Sequence, residues 1–96
     1  MALVVQAAAE ADIAEAFAWY ESHRKGLGSR FLDELESALL AIEQEPARFP
    51  LVYRDVRRAL LRQFPYAVFF VACSERIVII AVMHAAREPV QWTSRS

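Results

Sequence analysis

A chain of 96 residues with no repeat and no low-complexity block is expected to form one small domain, 1–96, that buries only about 60 to 65% of its unfolded surface. Its apolar content of 56% is high for that size, so part of the apolar surface is expected to serve a partner. The formal charge of −1 hides a division: residues 1–47 hold nine acids against three bases, whereas residues 48–96 hold eight arginines against three acids. Arginine in that excess suits carboxylate or phosphate recognition, or a solvated sheet rim. The single Cys73 excludes an internal disulfide and is expected in a turn. The start MALVVQAAAEAD lacks the basic lead of a signal peptide. The longest uncharged runs, 64–74 and 77–86, are about half the length of a membrane span, so no membrane is implied and the expected location is the cytoplasm.

In chain order, Leu3 to Gln6 reads as a short strand, and an alanine-rich helix starts near Ala8. Ile13, Phe17 and Tyr20 recur at i, i+4 and i+7 with Ala9 and Ala16 on the same side, which marks a core face. Trp19 lies off that stripe, as a helix-edge core residue or a partner contact. In KGLGSR, Gly26 stops the helix and a second one starts near Ser29, giving a tight αα-hairpin. The second helix carries Phe31, Leu32, Leu35, Ala38, Leu39 and Ile42 on one stripe, keeps its acids largely outside it, and ends at Pro46. ARFPLVYRD reads as a loop. Branched and aromatic runs then predict three strands, about Val56 to Arg62, Tyr66 to Ala72 and Arg76 to His84. Their short connections demand antiparallel pairing, so the class is α+β: a helical hairpin on a three-strand meander, joined by the N-terminal strand.

Two helices cover one face of such a sheet, yet Tyr66, Val68 and Phe70 alternate with Ala67, Phe69 and Val71, and Ile77 and Ile79 alternate with Val78 and Ile80. A solvated second face would alternate with polar residues. Its expected cover is a partner chain, a second copy, or part of Ala85 to Trp92 folding back. Thr93 to Ser96 reads as a frayed end.

The fragments ADIAEAFAWYE, GLGSRFLDELE, EPARFPLVY, VRRALLRQFPYAVFF and VMHAAREPVQW, in this order over roughly Val4 to Trp92, resemble the RelE/ParE superfamily of plasmid-stabilisation toxins. The resemblance implies the toxin of a type II toxin-antitoxin pair, held inactive by an antitoxin whose disordered, commonly acidic tail folds onto it, with oligomers formed through the antitoxin. It implies no cofactor and no metal. Arg54, Arg57, Arg58, Arg62 and Arg87, with Phe69 and Trp92, are the residues it suggests for antitoxin or target binding.

The superfamily divides into ribosome-dependent mRNA endonucleases similar to RelE and DNA gyrase inhibitors similar to ParE. A nuclease must activate a 2′-hydroxyl, stabilise a crowded phosphate and protonate a leaving oxygen, which calls for a cluster of bases and an acid/base pair. By resemblance, the first strand's basic positions fall at Arg58 and Leu60, and the arginine expected after Tyr66 is Ala67. The terminal aromatic is replaced by Gln91 or Trp92. Val56 to Trp92 holds no lysine and one tyrosine, Tyr66. His84, with Arg87 and Arg58, is the remaining set of catalytic candidates; a structural hydrogen bond is the competing role for His84. The WYE, GLG, FP and HxxRxPxxW motifs look closer to the ParE-like branch, whose function needs a binding surface alone. A relative that keeps the fold and antitoxin binding without toxicity is the third reading.

Overall fold

A computed structural model describes residues 2–86 and 93–95. The expectations placed on Arg87, Trp92 and most of the 85–92 segment lie outside the described residues.

Strand β1 (Ala2–Val5) leads into helix α1 (Ala7–His23), and α2 (Leu27–Gln44) returns antiparallel to it. A 3-10 turn, Pro46–Arg48, precedes β2 (Leu51–Tyr53), β3 (Val56–Leu60), β4 (Tyr66–Ala72) and β5 (Arg76–His84). The sheet order is β1-β5-β4-β3-β2, with β1 parallel to β5 and the remaining pairs antiparallel. The meander therefore has four strands. The expected ARFPLVYRD loop contains β2, whose three residues are too short for their alternation to stand out beside Pro50 and Arg54. β3 ends at Leu60 because the chain turns at Leu61, whose N–H bonds the Tyr66 carbonyl.

The helical turn is built by one carboxylate. Glu21 accepts the N–H groups of Gly26 and Gly28 at 3.0 Å each, so it occupies the start of α2, where backbone donors lack helical partners. That anchor lets α2 begin at Leu27, two residues before Ser29. Gly26 sits at φ 89°, a conformation glycine adopts without penalty. Gly28 serves a different need: a Cβ there would stand 2.9 Å from the Phe17 carbonyl oxygen, so the two helices cross at a distance only glycine permits.

Small residues set how α1 meets the sheet. Ala9, Ala16 and Tyr20 are its buried residues, while Ile13 and Phe17 are half-buried, so the face is rotated toward the alanines relative to the expected stripe. Phe31, Leu35 and Ile42 of α2 complete the helix-side core against Val68, Phe70, Ile77, Ile79 and Val82. Leu32, expected on that stripe, is exposed.

The other sheet face is buried as well. Val56, Ala67, Phe69, Ile80, Ala81 and Met83 form a second buried cluster with Tyr53, Val71 and Val78 packed against it. This face is buried within the single chain, so no partner is needed to cover Phe69, which is 5% exposed. A bulge makes the two cores compatible. Phe69 faces Ala81 and Phe70 faces Ile79, which leaves Ile80 as an extra residue. Ile80 and Ala81 thus both join the second cluster, and alternation resumes with Val82 on the helix side.

Candidate functional site

The arginines that look contiguous in sequence are separated by the pleat and by the strand ends. Arg57 lies opposite Phe70, on the helix side, and donates to the carbonyls of Phe49 at 2.6 Å and Ala47 at 3.4 Å. Its guanidinium fastens the loop before β2. Arg58 lies opposite Phe69 on the other face. It is half-buried, and its Nε is shielded from solvent with no hydrogen-bond acceptor. Such a donor has lost water and gained nothing in exchange, a cost of about 1 to 3 kcal/mol.

Arg54 and Arg62 flank the two ends of β3. Arg54 occupies the β2–β3 turn at φ 51°, a left-handed conformation that costs a non-glycine residue about 1 to 2 kcal/mol, with its guanidinium 5.2 Å from the Tyr53 ring centre. Arg62 lines a groove of about 590 Å³ between α2 and the β3–β4 connection, where Arg30 and Arg48 join it. That convergence is tertiary, and neither partner arginine is near Arg62 in sequence. Glu34 holds the groove's wall by accepting the N–H groups of Arg62 and Gln63, and Arg30 donates to the Gln63 side chain at 3.1 Å. Leu60, at the groove's edge, is 57% exposed.

The two catalytic candidates among the described residues, His84 and Arg58, do not converge. His84 faces Tyr66 across the strands, on the helix side, with ring centres 5.8 Å apart, while Arg58 is on the opposite face of the sheet. The Ala86 N–H donates to His84 Nδ1 at 3.2 Å, the structural hydrogen bond weighed as its other role, which leaves the neutral ring's proton on Nε2. Ala67, at the position where the nuclease pattern calls for an arginine, is wholly buried.

Trp19, considered as a helix-edge core residue, is 54% exposed. His23 stacks on its ring at 3.9 Å between centres, and Tyr20 meets it edge-on at 5.0 Å. Along α1, an apolar groove of about 730 Å³ is lined by Ile13, Ala14, Phe17, Ala18 and Leu32, with Glu10 and Glu21 among its polar residues. Half-exposed aliphatic and aromatic side chains at helical spacing are the surface an amphipathic segment covers.

A helical hairpin on one face of a five-stranded mixed sheet has a close structural counterpart. The fold matches a solved structure described as the chromosomal ParDE TA system from P. aeruginosa, with a TM-score of 0.78. The match covers 88% of this chain and 95% of that one at 17% identity, a likeness of fold. No curated protein matches at the sequence level. The family model described as the ParE toxin of the type II toxin-antitoxin system, parDE, matches residues 3–89, and the chain belongs to that family. The α+β class read from periodicity and the ParE-like branch read from the WYE, GLG, FP and HxxRxPxxW motifs are those of the fold and of the family.

Proposed function

We propose that this ParE-family toxin is neutralised by an antitoxin whose acidic tail folds onto it, and that the free toxin acts in the cytoplasm by binding and inhibiting DNA gyrase. The observation that carries the antitoxin reading is Arg58: a half-buried guanidinium that no carboxylate among the described residues pairs with suits a carboxylate supplied by a partner. The apolar groove along α1 and the arginines around the 590 Å³ groove support the same partner, one that is both amphipathic and acidic. Assembly into higher oligomers would then run through the antitoxin. Among the described residues no helix is long and apolar enough to cross a membrane.

Inhibition by binding is favoured over mRNA cleavage because Arg58 and His84 lie on opposite sheet faces and Ala67 has no access to solvent. Two assays on the purified chain test this. Supercoiling by gyrase should be inhibited while mRNA on translating ribosomes stays intact; ribosome-dependent cleavage would overturn the gyrase reading, and neither effect would point to a relative without toxicity. For the antitoxin surface, Arg58→Met should lower antitoxin affinity by about ten- to hundredfold and flatten its salt dependence, as expected when a charge-assisted bond of about 1.5 to 3 kcal/mol is lost. Calorimetry that returns an unchanged Kd would remove Arg58 from the interface.

A further inference from the structure

We propose that the pocket between α1 and the ends of β4 and β5 is a binding site for an arginine side chain presented by a protein partner. The pocket, about 470 Å³, is lined by Glu15, Trp19, Tyr20, Pro65, Tyr66 and His84, with Ala86 at its margin. Its aromatic wall is continuous: Trp19 to Tyr20 is 5.0 Å between ring centres, Tyr20 to Tyr66 is 5.9 Å, and Tyr66 to His84 is 5.8 Å. Glu15 is the only formally charged residue among the described lining residues, and it lies one helical turn before Trp19.

Aromatic rings beside a carboxylate favour a cation, because a ring face and a carboxylate attract the same sign of charge. A nucleotide would bring phosphate toward Glu15 with no cation among the described lining residues to receive it. Among cations, guanidinium fits best. It can lie flat on an indole while its N–H fork takes a carboxylate in two bonds, whereas an ammonium offers a single compact charge. The exposure of Trp19 has the same explanation: with His23 stacked on it and Tyr20 at its edge, the indole is held in place at the surface. This pocket is on the helix side of the sheet, on the face opposite Arg58, so it is a site separate from the proposed carboxylate contact.

NMR titration of the intact chain tests the assignment, with N-acetyl-arginine methylamide as probe and its uncharged citrulline counterpart and adenosine monophosphate as comparators. The arginine derivative should produce saturable shifts confined to Trp19, Tyr66 and His84, with the citrulline derivative at least tenfold weaker. Trp19→Ala should abolish saturation and Glu15→Gln should weaken it fivefold or more; both positions are exposed, so folding is retained. Equal binding of the neutral derivative, preferential binding of adenosine monophosphate, shifts that survive Trp19→Ala, or no saturable shift would each overturn the proposal.

Discussion

The Tyr20 phenol is held above its ordinary value near 10.0, chiefly by burial and secondarily by the neighbouring Tyr66 phenol. The unfolded chain therefore loses this proton at lower pH than the folded one. Below about pH 10 both states keep it and stability is unaffected; as pH rises above that value, the unfolded state ionises first and stability falls. Tyr20→Phe should remove that part of the alkaline decline, read as a smaller drop in urea midpoint than wild type between pH 9 and pH 11. Equal declines would show that the Tyr20 proton is not linked to folding. Single residues also explain the hairpin. Gly26 was legible as a helix stop, but the Glu21 carboxylate that receives two amides of the turn was not, because its bonds cross five and seven residues and depend on how the helices meet.

Among the elements, β5 presents an unusual requirement. β1 pairs with it only as far as Ile79, and the Gln6 N–H to the Ile79 carbonyl, 3.0 Å, lies just before the chain enters α1. Beyond that point the strand's outward N–H groups have lost their neighbour. Asp12, from α1, replaces it: its carboxylate accepts the Val82 N–H at 3.0 Å and pairs with Arg95 at 2.6 Å. Arg95 also donates to the Ile80 carbonyl at 3.2 Å, so this residue of the expected frayed end is tied to both α1 and the bulge. Asp12→Ala should destabilise the protein by about 1 to 3 kcal/mol, since it leaves the part-buried Val82 amide without its acceptor and the Arg95 guanidinium without its carboxylate. Arg95→Ala should cost less, because Asp12 retains the Val82 bond and arginine is readily hydrated when released. Denaturant unfolding ranks the two, and amide exchange at Val82 should accelerate in the first variant alone; the reverse order would show that the ion pair, rather than the strand cap, carries the stability.

For the whole molecule, the decisive feature is a sheet with a buried cluster on each face. If Phe69 were held for a partner, truncating it would leave the isolated chain unaffected. As a buried member of the second cluster, Phe69→Ala should instead cost about 3 to 5 kcal/mol, close to Phe70→Ala on the helix side. Thermal or urea unfolding of the two variants compares the faces directly. The charge division has a related basis: acids lie along the two helices, whereas the arginines nearest the proposed antitoxin surface are at Arg58 and around the α2–β3 groove. The apolar content that suggested an external partner is partly explained by this second core, and the α1 groove is an apolar surface that stays open among the described residues.

Hydrophobic period and turn residues determined two helices, three of the five strands nearly to their ends and the N-terminal strand within a residue, because these signals act between neighbours. The same residues, in five ordered fragments, carried the resemblance to the family. Only the tertiary structure decided which arginines are available. Arg57 and Arg58 are adjacent in sequence, yet the pleat sends one to internal carbonyls and leaves the other without an acceptor. It also decided the bulge at Ile80, the union of Arg30, Arg48 and Arg62, and the aromatic wall from Trp19 to His84, since each depends on strand register or helix placement between residues far apart in the chain. Local chemistry sets what each segment can form, and long-range register sets which side chains meet.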